Sequence, residues 1–271
     1  MKVSFIGLGV MGYPMSGHLI SKNNDLEIKV YNRSIQKTEK WVSEFNGILT
    51  KTPAEAAKNS DIVFMCVGND KDVDQVVRGD EGIMSSIPEN SIIVDHTTAS
   101  AKIALDLYDF CKSSKNVSFI DAPVSGGVVG AKNGSLTFMV GGNNKPFNLM
   151  LPLFEAMGNK SVLCGPPSSG QATKACNNML LATTMIGVGE TLSLGNNLGL
   201  DPEKLFEILS TSTGSCWAIN NYCPIEGVGP KSPADNNFQP GFSANLMLKD
   251  LTIALKAIDD TAFYPSKGKE R

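Results

Sequence analysis

The stretch Val3-Ser-Phe-Ile6-Gly7-Leu-Gly9-Val-Met-Gly12 decides the fold of the first half of this 271-residue chain. An apolar run leads into a GxGxxG turn, and a helical pattern follows to about residue 20. In this setting the first glycine permits a tight turn, the second lets a pyrophosphate approach the backbone, and the third lets the helix pack on the strand. The turn is therefore predicted to bind a dinucleotide, and the alternative is a strand–helix turn without a ligand. The predicted cofactor residues here are Gly7, Leu8, Gly9, Val10, Met11 and Gly12.

The pair Asn32-Arg33 follows a second predicted strand at 27–31. Asn32 stands 20 residues past Gly12, where an acidic residue would bind the hydroxyls of the adenosine ribose. An amide followed by a guanidinium suits a 2′-phosphate better. This pair favours NADP without excluding NAD.

Apolar strands alternate with helical patterns through the rest of the first half, which predicts a mainly parallel, doubly wound sheet covered on both faces. The strands are predicted at 61–67, 91–95, 117–120, 135–141 and 161–164, and the helices at 71–77, 100–111 and 145–157. Ligands of such sheets bind at the carboxyl ends of the strands. One of these ends carries Ser125-Gly126-Gly127, whose backbone donors and hydroxyl could hold a carboxylate, although a plain turn has the same composition.

Strand signals stop after Gly165, which divides the chain into an α/β Rossmann domain at 1–164 and an all-α domain at 165–271. Helices are predicted at about 169–198, 202–210 and 243–258. A breaker-rich link at 209–217, a long loop at 223–241 and a loosely held basic tail at 261–271 complete this half.

Lys174 lies near the start of the first of these helices, on the same face as Asn178 one turn later. Ser168 and Gln171 have the spacing of a capping box. A buried lysine at the positive end of a helix dipole is expected to have a lowered pKa, as a proton-transferring group requires. The alternative is a surface lysine whose stem covers the core and whose head reaches water.

Composition excludes several classes of protein and site. A net charge of −3 and a pI near 5.5 argue against nucleic-acid and anionic-membrane partners, and no apolar run is long enough to span a bilayer. The start of the chain does not have the pattern of a signal peptide. The six cysteines form no CxxC pair and are expected to be reduced thiols. Two histidines exclude a three-histidine metal site; His96 is expected to be structural rather than catalytic, and His18 to serve packing.

Four motifs together resemble the β-hydroxyacid dehydrogenase family and cover nearly the whole chain. They are Gly7 to Met15, Asp121-Ala-Pro-Val-Ser-Gly-Gly127, Gly170-Gln-Ala-Thr-Lys-Ala-Cys-Asn-Asn178 and Lys249-Asp250-Leu251. The resemblance implies a Rossmann domain followed by a helical domain, with the active site in the cleft between them. It implies that Lys174 is the general acid–base and that Ser125, Gly126, Gly127 and Asn178 hold the substrate. It also implies that Val67, Gly68, Asp72, Thr98 and Lys249 line the cofactor, with Asn32 and Arg33 facing its adenosine ribose.

The segments 214–224 and 236–242 are most similar to the branch of the family that oxidises 3-hydroxyisobutyrate to methylmalonate semialdehyde in valine breakdown. That branch generally prefers NAD, whereas Asn32-Arg33 is commoner among NADP-using relatives. The alternatives are an NADPH-dependent tartronate-semialdehyde or succinic-semialdehyde/glyoxylate reductase, and a catalytically idle cofactor-binding interaction module. No metal is implied, and the expected location is the cytoplasm, or the mitochondrial matrix for a mature eukaryotic chain.

The last predicted helix carries an apolar stripe and needs a partner to bury it. In the family, further helix follows this segment, and here the polar tail takes its place, so the helical domain is expected to be short. We therefore expect a second subunit to cover the stripe, as in a homodimer or homotetramer.

Overall fold

The computed structural model describes residues 1–23, 25–239 and 241–260. The predicted tail at 261–271 lies outside the described residues. The chain divides into two compact units, the first running to Lys174 and the second being Ala175–Ile258. The predicted domain boundary at 164/165 remains a prediction; it falls at the end of the last strand, before the division between the units. Among the described residues, no helix combines the length and apolar character that crossing a membrane requires.

Nine strands form one sheet within the described residues, in the order β3-β2-β1-β4-β5-β6-β8-β7, with β9 paired to β8. The six strands β1 to β6 run parallel, and the order of these strands is that of the Rossmann fold. β8 is antiparallel to β6 and β7, while β9 is parallel to β8. The prediction of a mainly parallel sheet is confirmed. The strands are β1 (Lys2–Ile6), β2 (Glu27–Tyr31), β3 (Ile48–Leu49), β4 (Ile62–Met65), β5 (Ile92–Asp95), β6 (Ser118–Asp121), β7 (Val124–Ser125), β8 (Leu136–Gly141) and β9 (Gly158–Gly165).

Helices cover both faces of this sheet, so each strand contributes alternate side chains to two separate cores. In β4, Phe64 packs into one core, whereas its neighbours Val63 and Met65 pack into the other. Burial on both faces is the reason that the strand has no polar position. The helices of the first unit are α1 (Gly12–Ser21), α2 (Ile35–Phe45), α3 (Pro53–Ala57), α4 (Asp70–Arg78), α5 (Ile83–Ser86), α6 (Ala101–Lys115), α7 (Gly127–Asn133) and α8 (Asn144–Met157).

The second unit is helical in its described part, and the long helix α9 enters it from the first. Its elements are α9 (Ser169–Asn197), α10 (Pro202–Thr211), α11 (Trp217–Tyr222), a 3-10 turn (Pro233–Asn236) and α12 (Ala244–Asp260). The predicted cap of α10 is present, since Asp201 Oδ1 accepts the N–H groups of Glu203 and Lys204 at 3.0 and 3.1 Å. Side chains of α9 and α11 share a small core with the loop that follows α11.

The predictions missed several elements, most of them short. The long loop predicted at 223–241 contains the 3-10 turn, which begins with a capping box between Ser232 and Asp235. The segment after the breaker-rich link forms α11, whose Ala218 and Ile219 are buried. α2, α3, α5 and α7 had no predicted counterpart.

Candidate active site

The glycine turn after β1 has the geometry that its three glycines predict. Gly7 has a φ of +96°, and a Cβ placed on it would lie 2.2 Å from the carbonyl oxygen of Cys66. A Cβ on Gly12 would lie 2.0 Å from the oxygen of Gly7 and 2.9 Å from the ring of Phe5, so α1 packs directly on the turn and the strand. A Cβ on Gly9 would meet no atom of the described protein within 4 Å. Packing therefore does not require glycine at position 9, which fits a backbone kept open for a pyrophosphate.

Asn32 supports this turn from the end of β2. Its Oδ1 accepts the N–H of Leu8 at 2.9 Å, and its Nδ2 donates to the carbonyl of Ser34 at 3.2 Å. Both the oxygen and the nitrogen of the amide are thus hydrogen-bonded within the protein, and neither bond was predicted from the sequence. Contact of Asn32 with an adenosine ribose remains a prediction.

Arg33 follows with its side chain 87% exposed, and its Nη1 lies 3.5 Å from Oδ1 of Asp72 on α4. The other carboxylate oxygen of Asp72 accepts from Asn69 at 3.1 Å, and it lies so close to Gly68 that a Cβ there would be 2.3 Å away. The ends of β2 and β4 therefore bring together three of the predicted cofactor residues: Arg33, Gly68 and Asp72.

The loops after β4 and β5 are joined by hydrogen bonds. The N–H of Val67 donates to the hydroxyl of Thr97 at 2.9 Å, and the N–H of Thr97 donates to Asp95 Oδ1 at 2.8 Å. Thr98 is half-buried in the same loop. The parallel register of β1, β4 and β5 sets these loops beside the glycine turn at one edge of the sheet.

Two buried carboxyl groups lie directly behind this edge, at the paired ends of β5 and β6. The pKa of Asp95 is raised to about 7, chiefly by burial; hydrogen bonds from Thr97 oppose the shift, and the nearby Asp121 contributes to it. Burial also raises the pKa of Asp121 to about 6, against the N–H groups that it accepts from Gln171 and Ser168. Asp121 belongs to one of the four family motifs, but the sequence predicted no role for its side chain.

The predicted capping box at the start of α9 is wrong. Ser168 has a φ of +77°, and its N–H donates to Asp121 Oδ1 at 2.8 Å. The side chain of Gln171 does not return to Ser168; it bonds the loop after β5, accepting from Ala99 N at 3.0 Å and donating to Thr97 O at 2.6 Å. The carboxylate of Asp121, 47 residues earlier in the chain, thus takes the place of the local cap.

Lys174 is only 8% exposed, which contradicts the surface-lysine alternative. Asn178, one turn later on α9, is 1% exposed and donates through Nδ2 to Asp250 Oδ2 at 2.5 Å, while its Oδ1 accepts from Asn177 at 3.0 Å. Asp250 is buried on α12, and Lys249 Nζ lies 3.4 Å from its Oδ1. The motif Lys249-Asp250-Leu251 includes Asp250, but the sequence predicted no role for it; the structure shows that it binds the amide of Asn178.

The turn Ser125-Gly126-Gly127 joins β7 to α7. Gly126 and Gly127 have φ values of +125° and +60°, and a Cβ on Gly127 would meet no described atom within 4 Å. Ser125 is half-buried and both glycines are exposed. The turn therefore presents its backbone to the outside, as a carboxylate site requires.

The histidines differ in role. His96 is buried among aromatic rings, its Nδ1 lies 2.7 Å from the carbonyl of Ala122, and burial lowers its pKa to about 4. His96 is therefore a neutral structural residue, as expected. His18 does more than pack, because its Nε2 lies 3.1 and 3.0 Å from the carbonyls of Ala131 and Lys132 near the end of α7.

Two protein-family models match the two halves of the chain. Residues 2–165 match the model of the NAD-binding domain of 6-phosphogluconate dehydrogenase. Residues 168–264 match the model described as NAD-binding of NADP-dependent 3-hydroxyisobutyrate dehydrogenase.

Individual relatives are similar over nearly the whole chain. An uncharacterized oxidoreductase of Shewanella frigidimarina is 41% identical over 94% of this chain and 84% of its own length. The mitochondrial 3-hydroxyisobutyrate dehydrogenase of Mus musculus is 38% identical over 96% of this chain and 76% of its own. Among solved structures, a Mycobacterium tuberculosis 3-hydroxyisobutyrate dehydrogenase with L-serine superposes with a TM-score of 0.88 at 33% identity, covering 97% of this chain and 88% of that one.

Proposed function

This chain belongs to the β-hydroxyacid dehydrogenase family and is an NAD(P)-dependent oxidoreductase acting on a CH–OH group, and we propose that its substrate is 3-hydroxyisobutyrate. The observation that most supports acid–base catalysis by this chain is the burial of Lys174 at the start of α9, one turn before Asn178. The relatives named 3-hydroxyisobutyrate dehydrogenase suggest the particular acid.

In the proposed reaction, the Lys174 amine removes the proton of the substrate hydroxyl while a hydride leaves the carbon that bears it. Bound NAD(P)⁺ supplies the hydride acceptor. The alcohol becomes the aldehyde methylmalonate semialdehyde, and the released proton passes to Lys174 and then to solvent. This reaction would be a step of valine breakdown.

The remaining predicted residues bind the substrate and the cofactor and orient the reacting groups. The backbone of Ser125, Gly126 and Gly127 receives the carboxylate of the acid, and the amide of Asn178 orients the substrate or the lysine. Asp250 fixes that amide, because it accepts one of its two N–H bonds. The open backbone at Gly9 supports placing the pyrophosphate of the cofactor at the glycine turn.

Replacing Lys174 with alanine tests the mechanism. Lys174→Ala should lower kcat by about 10²- to 10⁴-fold, the usual contribution of an acid–base group, with nearly unchanged cofactor affinity. Lys204→Ala, at an exposed lysine of α10, is the matched control and should keep wild-type kcat. A Lys174→Ala enzyme with wild-type kcat would show that Lys174 is not the acid–base group.

A second candidate is supported by Arg33, whose exposed guanidinium at the end of β2 suits the 2′-phosphate of NADPH. The enzyme would then reduce tartronate semialdehyde, or succinic semialdehyde and glyoxylate, with Lys174 donating the proton. A panel of 3-hydroxyisobutyrate, D-glycerate, L-serine and succinic semialdehyde with both cofactors separates the two candidates by kcat/KM. The absence of turnover with every substrate would favour the third possibility, a cofactor-binding module without activity.

A further inference from the structure

The start of α9 is held to the sheet by the carboxylate of Asp121. Oδ1 accepts the N–H of Ser168 at 2.8 Å and Oδ2 accepts the N–H of Gln171 at 2.9 Å. These N–H groups belong to the beginning of the helix, where they have no partner within it, and a negative charge there also favours the helix dipole. One buried side chain of β6 thus fixes the position of the first turn of α9 along the helix axis and its rotation about that axis.

Two glycines leave room for this carboxylate. A Cβ on Gly141 of β8 would lie 2.4 Å from Asp121 Oδ1, and one on Gly170 of α9 would lie 2.8 Å from its Oδ2. Asp121 is 1% exposed. The helix start and the sheet therefore meet at a distance that only backbone without side chains allows.

Gln171 makes a second connection, toward the predicted cofactor residues. Its amide bonds Thr97 O and Ala99 N, which flank Thr98 on both sides, and the side chain is 1% exposed. The hydroxyl of Thr97 in turn accepts the N–H of Val67. A chain of hydrogen bonds, buried at Gln171 and partly buried at Val67, thus runs from α9 to the two loops predicted to line the nicotinamide cofactor.

We propose that Asp121 and Gln171 are positioning residues that together fix Lys174 relative to these loops. Lys174 follows Gln171 by three residues on α9, so any displacement of the first turn moves its amine. A misplacement of about 1 Å can lower the rate of a chemical step 10²-fold. The inference rests on the proposed role of Lys174, and it adds two residues that act through it.

The test uses two variants that remove the hydrogen bonds without large changes in volume. Asp121→Asn replaces one acceptor oxygen with an NH₂ that faces a backbone N–H. Gln171→Met removes both side-chain bonds and, should Asp121→Asn fail to fold, decides the matter alone. The reaction is followed through its first turnover with 3-hydroxyisobutyrate, or the panel acid that is turned over fastest. With the enzyme as the limiting component, the amplitude of the first turnover reports the fraction of active enzyme, while its rate constant reports the chemical step.

We expect the rate constant and kcat to fall about 10- to 100-fold in each variant, while KM for the acid changes by less than about threefold. In a Lys174→Ala background, adding either substitution should change kcat by less than about threefold, because a residue that acts through Lys174 has nothing left to position. Asp201→Asn, which alters the cap of α10 by the same chemistry, should keep the wild-type rate constant.

Two results would overturn the inference: wild-type rate constants in the positioning variants, or losses that multiply in the Lys174→Ala background. Failure of the proposed function is a separate result, since it shows as wild-type kcat in Lys174→Ala alone.

Discussion

Gly9 and Gly12 stand three residues apart in one turn, yet the structure requires glycine only at the second for packing. A side chain on Gly12 would collide with backbone 2.0 Å away, whereas one on Gly9 would meet no described atom within 4 Å. We therefore expect any requirement for glycine at position 9 to come from a bound pyrophosphate, because the second glycine of such a turn lets it approach the backbone.

Gly9→Ala should therefore fold with an unchanged melting temperature and bind NADH and NADPH at least about tenfold more weakly, a loss of about 1.4 kcal/mol. Titration of nicotinamide fluorescence measures the affinity, and calorimetry without cofactor measures stability. Gly12→Ala is the matched control, and we expect it to lower the melting temperature instead. Unchanged affinity in Gly9→Ala would place the pyrophosphate elsewhere.

Arg33 provides the test of cofactor preference. Its guanidinium is exposed and only loosely paired with Asp72, so it can turn toward a 2′-phosphate. Arg33→Ala should raise KM for NADP about tenfold or more and change KM for NAD by less than about twofold, because an ion-paired phosphate contact contributes on the order of 1.5–3 kcal/mol. Lys160→Ala, on β9, should change neither constant. An equal effect of Arg33→Ala on both cofactors would remove the reason for favouring NADP.

At the scale of the strand ends, the buried carboxyl of Asp95 makes the stability of the fold depend on pH. Its pKa is about 7 in the folded protein and near 3.8 in an unfolded chain, so the folded state binds more protons between these values. Stability must then fall as pH rises from about 4 to about 7. Asp121, with a pKa of about 6, adds to the same trend.

Asp95→Asn removes the titrating group and keeps an oxygen for the N–H of Thr97. We expect the melting temperature of the variant, relative to wild type, to rise by several degrees between pH 5 and pH 8, since roughly 1 kcal/mol corresponds to 2–4 °C for a chain of this size. Asp106→Asn, at an exposed carboxylate of α6, should follow the wild-type curve. A difference that is constant across this pH range would contradict a raised pKa at Asp95.

Long elements could be predicted from the sequence where the local composition or the flanking prolines mark them. β4 has no polar position, and α9 was placed within one residue at its end, because no proline interrupts the chain between Pro167 and Pro202. The short helices have no comparable pattern in the local sequence. α3 has only five residues, and α11 is defined by the core that Ala218 and Ile219 enter rather than by a period of its own.

The site was predictable where the chemistry is local and not where it joins distant segments. The spacing of Lys174 and Asn178 on one helix face is a property of the chain itself. The partner of Asn178 is 72 residues away, and the carboxylate that holds Ser168 precedes it by 47. A local Ser-x-x-Gln pattern cannot show that Asp121 competes for the same N–H groups, so the capping box was predicted where a tertiary bond exists.

At the scale of the whole molecule, large apolar side chains are exposed mainly on the second unit. On α12, Leu248 and Leu255 are 66% and 63% exposed, and their spacing of seven residues puts them on one face of the helix. The opposite side of the helix carries the buried Asp250 and Ala254. Further exposed apolar residues of this unit include Met179, Leu180, Ile186, Leu194, Ile208 and Leu246. Exposed apolar side chains that form a patch mark protein–protein contacts, and the pair on α12 is a candidate for such a patch.

We therefore expect a second copy of the chain to cover the exposed face of α12, which makes the protein an obligate oligomer whose melting temperature rises with protein concentration. Leu255→Glu should shift the sedimentation coefficient at low micromolar concentration toward the monomer, because a buried charge opposes association. Leu105→Glu, at an exposed leucine of α6, should leave the sedimentation coefficient unchanged. Lys249 lies on the same helix, so dissociation should also weaken cofactor binding if Lys249 contacts the cofactor as predicted. A wild-type monomer at this concentration, with a cofactor affinity that dilution does not change, would rule out the oligomer.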